Sequence, residues 1–213
     1  MVANSRPGAQ LFLVTPFFDD RDAFATLLET VLKAADVAAV LIAPRGPDNV
    51  SDTYQNDCKQ LVPIAQNHGA AALTMNDTQI NGRANADGIH LTGNLKELKE
   101  VTGRFQPKKI VGSGAIKDRH DAMEKGEALP DYLLFGDVFE TGESDLETTL
   151  ELAAWWADLF EIPCVAMAGK NLDDVSNALA TGADFIGLGS FVWQHPDGPE
   201  TAIMEAHKLL QGE

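Results

Sequence analysis

The chain of 213 residues carries 16 lysines and arginines against 32 aspartates and glutamates, a formal net charge of −16. A hydrophobic fraction of 45% and a charged fraction of 23% are typical of globular proteins and exclude extended disorder. The excess of acid argues against binding to nucleic acid or to anionic membranes, because phosphates attract basic surfaces.

The first nine residues, 1–9, are expected to be a flexible tail. They lack the long apolar stretch of a signal peptide, and no window reaches the roughly 20 apolar residues of a membrane span. Cys58 and Cys164 are too few for a disulfide framework. We therefore expect a cytoplasmic protein.

Eight short apolar runs recur along the chain, each about four residues long with turn formers or charges nearby. Runs that are apolar on both faces are typical of buried parallel strands. The predicted strands are Leu11–Val14, Ala38–Ile42, Ala70–Leu73, Gly88–Leu91, Lys109–Val111, Tyr132–Phe135, Cys164–Ala166 and Phe185–Leu188.

Segments with helical periodicity separate these runs. Phe24 and Leu28 mark the first helix, with Asp22 as its predicted cap, and the longest helix runs from Leu146 to Phe160. The stretch Ile80–Ala86 has the weakest helical pattern. A helix over 202–210 closes the chain.

Repeated strand–helix order predicts a parallel sheet with right-handed crossovers, and eight units predict an α/β protein with a single (β/α)₈ TIM barrel over residues 1–213. An open doubly wound sheet is the alternative. Its Gly-x-Gly-x-x-Gly turn is absent after the first strand, where Val14-Thr15-Pro16-Phe17-Phe18 stands instead. Barrel chemistry belongs to the loops at the carboxyl ends of the strands.

Two of these loops hold candidate residues for metal binding and proton transfer. Asn76 and Asp77 follow the third strand, where an amide could bind phosphate and a carboxylate could bind Mg²⁺, or Asp77 could simply cap the next helix. His90 lies in the fourth strand and is a candidate general acid or base. The interpretation of His90 as a satisfied core histidine is favoured.

Glycine-rich strand ends offer backbone donors for an oxyanion. Ser113 stands between two glycines after the fifth strand. Gly169 and Lys170 follow the seventh strand, and Gly189 and Ser190 follow the eighth, where barrels commonly bind phosphate. These residues predict an oxyanion site at the last two strands.

Several short motifs over roughly residues 10–210 resemble thiamine phosphate synthases. They are Asn76-Asp77, Ala86-Asp87-Gly88-Ile89-His90-Leu91, Asp131-Tyr132 with Gly136 and Phe139-Glu140-Thr141, and Gly182-Ala183-Asp184-Phe185-Ile186-Gly187. The resemblance implies a Mg²⁺-assisted barrel enzyme that joins a pyrimidine methyl diphosphate to thiazole phosphate and releases pyrophosphate. It implies diphosphate binding by Asn76, Mg²⁺ binding by Asp77, and substrate contacts at Ser113, Thr141 and Gly169.

The sequence departs from this family's pattern at positions that carry positive charge. The family places Gln, Arg and Lys alternately after strand two, whereas Leu41-Ile42-Ala43-Pro44-Arg45-Gly46 leaves Arg45 as a displaced candidate. A second acidic metal ligand and a Thr-Lys pair after strand six are also replaced. Each lost charge-assisted phosphate contact costs ~1.5–3 kcal/mol, so two losses predict a rate roughly a hundredfold lower.

Two other functions stay open: a thiazole-tautomerase-like enzyme that uses His90 or His120, and a barrel that binds a phosphorylated ligand without chemistry. In each case the partner is a small phosphorylated heterocycle. Trp155 and Trp156 are adjacent and cannot share one helix face, which favours a homodimer contact, while the place of Trp193 is open.

Overall fold

Eight parallel strands close into a barrel in the computed structural model, which describes residues 8–45, 51–139 and 145–212. Strands neighbour one another in chain order, and the eighth pairs with the first. The strands are β1 (Gln10–Val14), β2 (Ala39–Ile42), β3 (Ala71–Met75), β4 (Gly88–Leu91), β5 (Ile110–Ser113), β6 (Tyr132–Phe135), β7 (Cys164–Met167) and β8 (Phe185–Leu188). The predicted (β/α)₈ barrel is confirmed.

Helices follow the strands and cover the outside of the barrel. They are α1 (Arg21–Ala34), α2 (Ser51–Asn67), α3 (Thr78–Ala84), α4 (Leu95–Phe105), α5 (Arg119–Gly126), α6 (Leu146–Leu159), α7 (Leu172–Ala180), α8 (Ser190–Trp193) and α9 (Pro199–Gln211). The weakly patterned third helix does form, with Asp77 capping its start and Asn85 ending it in a left-handed conformation.

Several observed element boundaries differ from the predicted ones, and local hydrogen bonds account for two of them. β3 continues past Leu73 because the hydroxyl of buried Thr74 accepts from Asn81 at 3.0 Å, so a polar residue is satisfied inside the core. The cap of α1 is Asp20 and not Asp22, since Asp20 Oδ1 accepts from the first free backbone N–H groups of the helix.

Ring side chains from strands that are not neighbours meet inside the barrel. Phe12 meets Tyr132 edge to face at 5.6 Å, and the His90 ring lies nearly parallel to the Tyr132 ring at 5.7 Å. Gly112 permits this packing, because a Cβ there would overlap the Tyr132 ring. The barrel is therefore a packed core, and ligands must bind at its ends.

Three aspartates join neighbouring strands at the amino end of the barrel. Asp87, Asp131 and Asp184 each precede an even-numbered strand. Each carboxylate accepts the backbone N–H of a residue at the start of the preceding odd-numbered strand: Ala72 at 2.8 Å, Val111 at 2.7 Å and Cys164 at 2.9 Å. These bonds hold the strand starts together at the end opposite the expected site.

Candidate active site

The loops at the carboxyl ends of the strands carry far more acid than base. Between each strand and its following helix, the basic residues are Arg45, Lys117 and Lys170. The same loops contain nine acidic residues: Asp19, Asp20, Asp48, Asp77, Asp118, Asp137, Glu140, Glu143 and Asp145. An anionic substrate must therefore rely on few cations, on backbone donors or on a metal ion.

Asn76 and Asp77 lie directly after β3, where the chain turns into α3. Asn76 has a left-handed backbone (φ 58°), and its side-chain amide is paired with Thr92, donating to the hydroxyl and accepting from the N–H, each at 2.8 Å. Asp77 Oδ1 accepts from the N–H groups of Gln79 and Ile80, both at 2.8 Å. Asp77 thus caps α3, and the cap uses only one of its two carboxylate oxygens.

Arg45 follows β2 but is engaged by the protein itself. Its guanidinium forms a two-point ion pair with Asp57, whose side chain is only 2% exposed, with Nε to Oδ2 at 2.7 Å. It also donates to the Asp19 carbonyl at 2.8 Å and lies 4.3 Å from the centre of the Phe18 ring. The hydrogen bond to Asp57 raises the pKa of Arg45. The geometry is that of a structural ion pair.

Tyr54 is a residue that sequence reasoning missed. Its buried hydroxyl donates to the Ile42 carbonyl at 2.7 Å and accepts from the Met75 N–H at 2.6 Å. The hydroxyl thereby bridges the ends of β2 and β3, next to Asn76. Burial raises the pKa of Tyr54. In the sequence, a tyrosine at helical spacing indicates core packing. No sequence pattern predicts that its hydroxyl links two strand ends.

His90 is enclosed in the barrel, with no exposed surface. Its Nδ1 lies 2.9 Å from the Tyr132 hydroxyl, whereas Nε2 has no hydrogen-bond partner among the described residues. Burial, with a smaller effect of the Lys125 charge, lowers the pKa of His90 to about 3. His120 lies on the outer helix α5 with its side chain 78% exposed. The ring of His90 is therefore neutral and closed off from solvent.

The end of β5 holds Ser113, which is buried, and a lysine that sequence reasoning also missed. Lys125 projects from α5 and is 5% exposed. Its ammonium donates to the carbonyls of Gly114 at 2.9 Å and Ala115 at 3.0 Å, and pairs with Asp121 at 3.2 Å. The Lys125 ammonium therefore stabilises the loop that follows Ser113 by binding two of its carbonyl groups.

The loop after β7 presents Gly169 and Lys170. The Lys170 side chain is exposed, but its backbone N–H donates at 2.8 Å to Oδ2 of Asp174, the residue that also forms the capping box of α7 with Asn171. Gly169 has no room for a Cβ, because Asp174 lies against it. A phosphate at this loop would meet the Lys170 ammonium, while the Lys170 N–H already serves the helix cap.

Gly189 and Ser190 lie at the end of β8, where they form part of a cavity of about 380 Å³. Five aromatic side chains also line this cavity: Phe17, Phe18, Phe24, Phe139 and Trp193. It opens between the β1–α1 loop, the loop after β6, and α8. We call it the rim cavity. None of the described residues that line it is charged.

The predicted site residues thus all face the carboxyl end, apart from His90 inside the barrel and Thr141, which lies outside the described residues. The structure joins Asn76 to the loop after β4 through Thr92, and places Gly189 and Ser190 in one cavity. Within the described ranges, no cluster of three or more histidine, cysteine, aspartate or glutamate side chains has the geometry for a metal ion.

Comparison with known proteins finds similarity along nearly the whole chain. The family model described as Thiamine monophosphate synthase matches residues 11–192. The thiamine-phosphate synthase of Hyphomonas neptunium is 32% identical over 98% of this chain and 97% of its own, and that of Rhodospirillum centenum is 32% identical over 95% and 98%.

Solved structures show how widely this fold is shared. Thiamine phosphate pyrophosphorylase from Pyrococcus furiosus superposes with a TM-score of 0.77 at 23% identity, covering 98% of both chains. Orotidine 5'-phosphate decarboxylase from Pyrococcus horikoshii also superposes, with a TM-score of 0.67 at 11% identity over 94% of this chain. These likenesses concern the fold alone.

Proposed function

Since the chain belongs to the thiamine monophosphate synthase family, we propose that it is a transferase that joins a pyrimidine methyl diphosphate to a thiazole phosphate and releases pyrophosphate. The observation that carries the proposal is the match to synthases along nearly their whole length. Its substrates are small phosphorylated heterocycles. A cytoplasmic location stays a prediction from the N-terminal sequence.

Asn76 and Asp77 are the residues through which we propose that the diphosphate and Mg²⁺ bind. Asp77 Oδ2 is not used by this cap, which supports a role for Asp77 as the protein carboxylate on an ion that takes its other ligands from water and substrate phosphates, as Mg²⁺ commonly does. Bound in this way, Mg²⁺ would neutralise charge on the diphosphate. Asn76 is held in place by Thr92, which supports a fixed orientation of its amide.

Lys170, with Gly189 and Ser190, is the proposed phosphate contact at the last two strands. Its exposed ammonium and the nearby strand ends support this role. Ser113 and Thr141 stay proposals from the resemblance alone. Because Arg45 is paired with Asp57, the protein has one fewer cation for pyrophosphate, and we expect slow turnover.

The test is an assay of thiamine phosphate formation from the two substrates, with and without Mg²⁺. We expect Asp77→Asn to lower Mg²⁺-dependent turnover at least ~tenfold, because it removes the charge that would face the ion. Asparagine is itself a good helix cap, so α3 should keep its stability. Asp20→Asn, which changes the cap of α1 at the same end of the barrel, is the matched control and should retain turnover.

Unchanged turnover in Asp77→Asn would contradict the role given to Asp77. Absence of product in the unchanged protein would favour the second candidate, a barrel that binds a phosphorylated ligand without chemistry. The engagement of Arg45 by Asp57 is the observation that favours this alternative. A tautomerase-like reaction has less support, because His90 is closed off and His120 lies on an outer helix.

A further inference from the structure

Tyr54 is a buried residue to which the proposed transfer reaction gives no role. It lies in the first half of α2, is 3% exposed, and directs its hydroxyl between the ends of β2 and β3. A phenylalanine ring would fill the same space, so the hydroxyl adds something that packing alone does not need. Its function follows from the two backbone groups that it binds.

The Tyr54 hydroxyl binds the last facing pair of backbone groups between β2 and β3. The Ala71 N–H donates to the Ala38 carbonyl at 2.9 Å, and this pattern repeats at every second residue along the two parallel strands. The Met75 N–H and the Ile42 carbonyl therefore face each other where the strands end. The hydroxyl accepts from the Met75 N–H at 2.6 Å and donates to the Ile42 carbonyl at 2.7 Å. A side chain of α2 thus fixes the relative position of the two strand ends.

The residues that follow Met75 are held from the β4 side as well. The Asn76 N–H donates to the His90 carbonyl at 2.9 Å, and the Asp77 N–H donates to the Met75 carbonyl at 2.7 Å. Asn76 has a left-handed backbone, which persists in a residue other than glycine only where the surrounding structure maintains it. Tyr54 supplies the contact on the β2 side. The backbone that leads into Asp77 is therefore held from both neighbouring strands.

We propose that Tyr54 is a positioning residue for Asn76 and Asp77, and that its hydroxyl sets the place at which Asp77 meets Mg²⁺ and the diphosphate. The inference rests on the proposed function and adds to it a residue that touches neither substrate nor ion. Asp77 Oδ1 is fixed by the cap of α3, so the direction of Oδ2 follows the backbone at Asp77. Because Mg²⁺ demands near-ideal octahedral geometry, a small displacement of that backbone weakens its binding.

The charge of Asp77 reaches the Tyr54 hydroxyl, so the two side chains are close to each other. Burial is the main cause that raises the pKa of Tyr54, and the negative charge of Asp77 raises it further. The hydroxyl therefore keeps its proton at neutral pH and remains a donor to the Ile42 carbonyl. Removing the hydroxyl would leave the Met75 N–H without this acceptor and allow the two strand ends to shift.

The test measures calorimetric binding of pyrophosphate with and without Mg²⁺, which requires no turnover. Tyr54→Phe keeps the ring and removes the hydroxyl. We expect it to weaken the Mg²⁺-dependent binding at least ~tenfold, because a displaced carboxylate fits the ion poorly. Tyr132→Phe is the matched control, since it removes another buried hydroxyl, which lies 2.9 Å from His90 Nδ1 inside the barrel. The control should leave the Mg²⁺-dependent binding unchanged.

A double-mutant cycle separates positioning from a general loss of stability. If Tyr54 acts through Asp77, Tyr54→Phe should change the Mg²⁺-dependent binding by at most ~twofold when Asp77→Asn is already present. A purely structural role would give the same loss of binding with and without Asp77→Asn. Urea unfolding of each variant establishes that the folded protein is the species being titrated.

The proposal is overturned if Tyr54→Phe binds Mg²⁺-pyrophosphate as tightly as the unchanged protein, or if its loss of binding persists in full beside Asp77→Asn. It is also overturned if the unchanged protein shows no Mg²⁺-dependent binding. Binding that depends on Tyr54 without formation of thiamine phosphate supports the role of Tyr54 and contradicts only the proposed transfer. Formation of thiamine phosphate with binding that Tyr54→Phe leaves unchanged overturns only the role of Tyr54.

Discussion

Individual side chains at the carboxyl end owe their roles to the partners that surround them. Arg45 lies between the Asp57 carboxylate, the Asp19 carbonyl and the Phe18 ring, so its charge is used within the protein. Lys170, the other basic candidate, extends into solvent. Two side chains of the same charge, each next to a strand end, therefore have different expected functions.

Replacing Arg45 should lower stability more than it lowers ligand binding. Arg45→Ala would leave the buried Asp57 carboxylate unpaired, and we expect the free energy of unfolding to fall by about 3 kcal/mol. Lys170→Ala should change the free energy of unfolding by less than ~0.5 kcal/mol. It should weaken the binding of Mg²⁺-pyrophosphate more than Arg45→Ala does. Urea unfolding and calorimetry measure both quantities. Unchanged stability with lost pyrophosphate binding in Arg45→Ala would make Arg45 a substrate ligand.

His90 should make stability depend on pH below neutrality. Its folded-state pKa of about 3 lies below the ordinary value of 6.5, so the unfolded chain takes up the proton first as pH falls. Stability contributed by neutral His90 is fully present above pH 6.5 and is lost progressively below it. Between pH 6.5 and pH 5 the expected loss is about 2 kcal/mol.

The contribution of His90 is measured by the difference between the protein and His90→Gln, because the other histidines then cancel. The free energy of unfolding of His90→Gln should change less with pH between 6.5 and 5, whatever its absolute stability. Glu29 and Asp145, whose pKa values are lowered by hydrogen bonds, titrate below this window. An equal pH dependence in both proteins would show that His90 has the same pKa in the folded protein as in the unfolded chain.

At the scale of strands and helices, the two ends of the barrel have separate roles. Asp87, Asp131 and Asp184 belong to the motifs that carry the family resemblance, yet they join strand starts at the amino end. Much of that resemblance therefore reflects how the barrel is built. The loops at the other end, where Arg45 replaces the family's pattern, determine what the barrel can bind.

Removing one of these strand-joining carboxylates should destabilise the fold without affecting ligands. Asp131→Ala leaves the N–H of Val111, a buried residue, without its partner, and we expect the free energy of unfolding to fall by about 1–3 kcal/mol. Asp158→Ala, on the exposed face of α6, is the control and should change little. The unchanged protein, Asp131→Ala and Asp158→Ala should bind Mg²⁺-pyrophosphate with the same affinity. A loss of binding confined to Asp131→Ala would contradict the separate roles of the two barrel ends.

At the scale of the whole molecule, a net charge of −16 opposes the approach of an anionic substrate. No helix in the described ranges is long and apolar enough to cross a membrane. Trp156 is buried, and Trp155 is half-buried against Phe160 and near Arg119. The homodimer stays a prediction, with this side of α6 as its expected contact.

Salt should therefore strengthen the binding of a metal-free anion. Raising the KCl concentration from ~20 to ~150 mM shortens the Debye length to about 8 Å and screens the negative field. Binding of metal-free pyrophosphate should strengthen, because screening reduces its repulsion by the net negative charge. Calorimetric titrations at both concentrations measure this. If salt weakens pyrophosphate binding instead, local cations dominate the site and the acidic field does not.

The sequence alone determined the barrel, because eight apolar runs alternating with amphipathic helices can bury their surfaces in few other ways. It also identified Asn76, Asp77 and Arg45 by residue type and by their place after strands. Only the tertiary structure decided which groups are engaged, since Thr92, the partner of Asn76, and Asp57, the partner of Arg45, lie on other elements. The rim cavity likewise depends on the meeting of β1, β6 and β8 loops, because distant segments must approach one another before they can enclose a ligand.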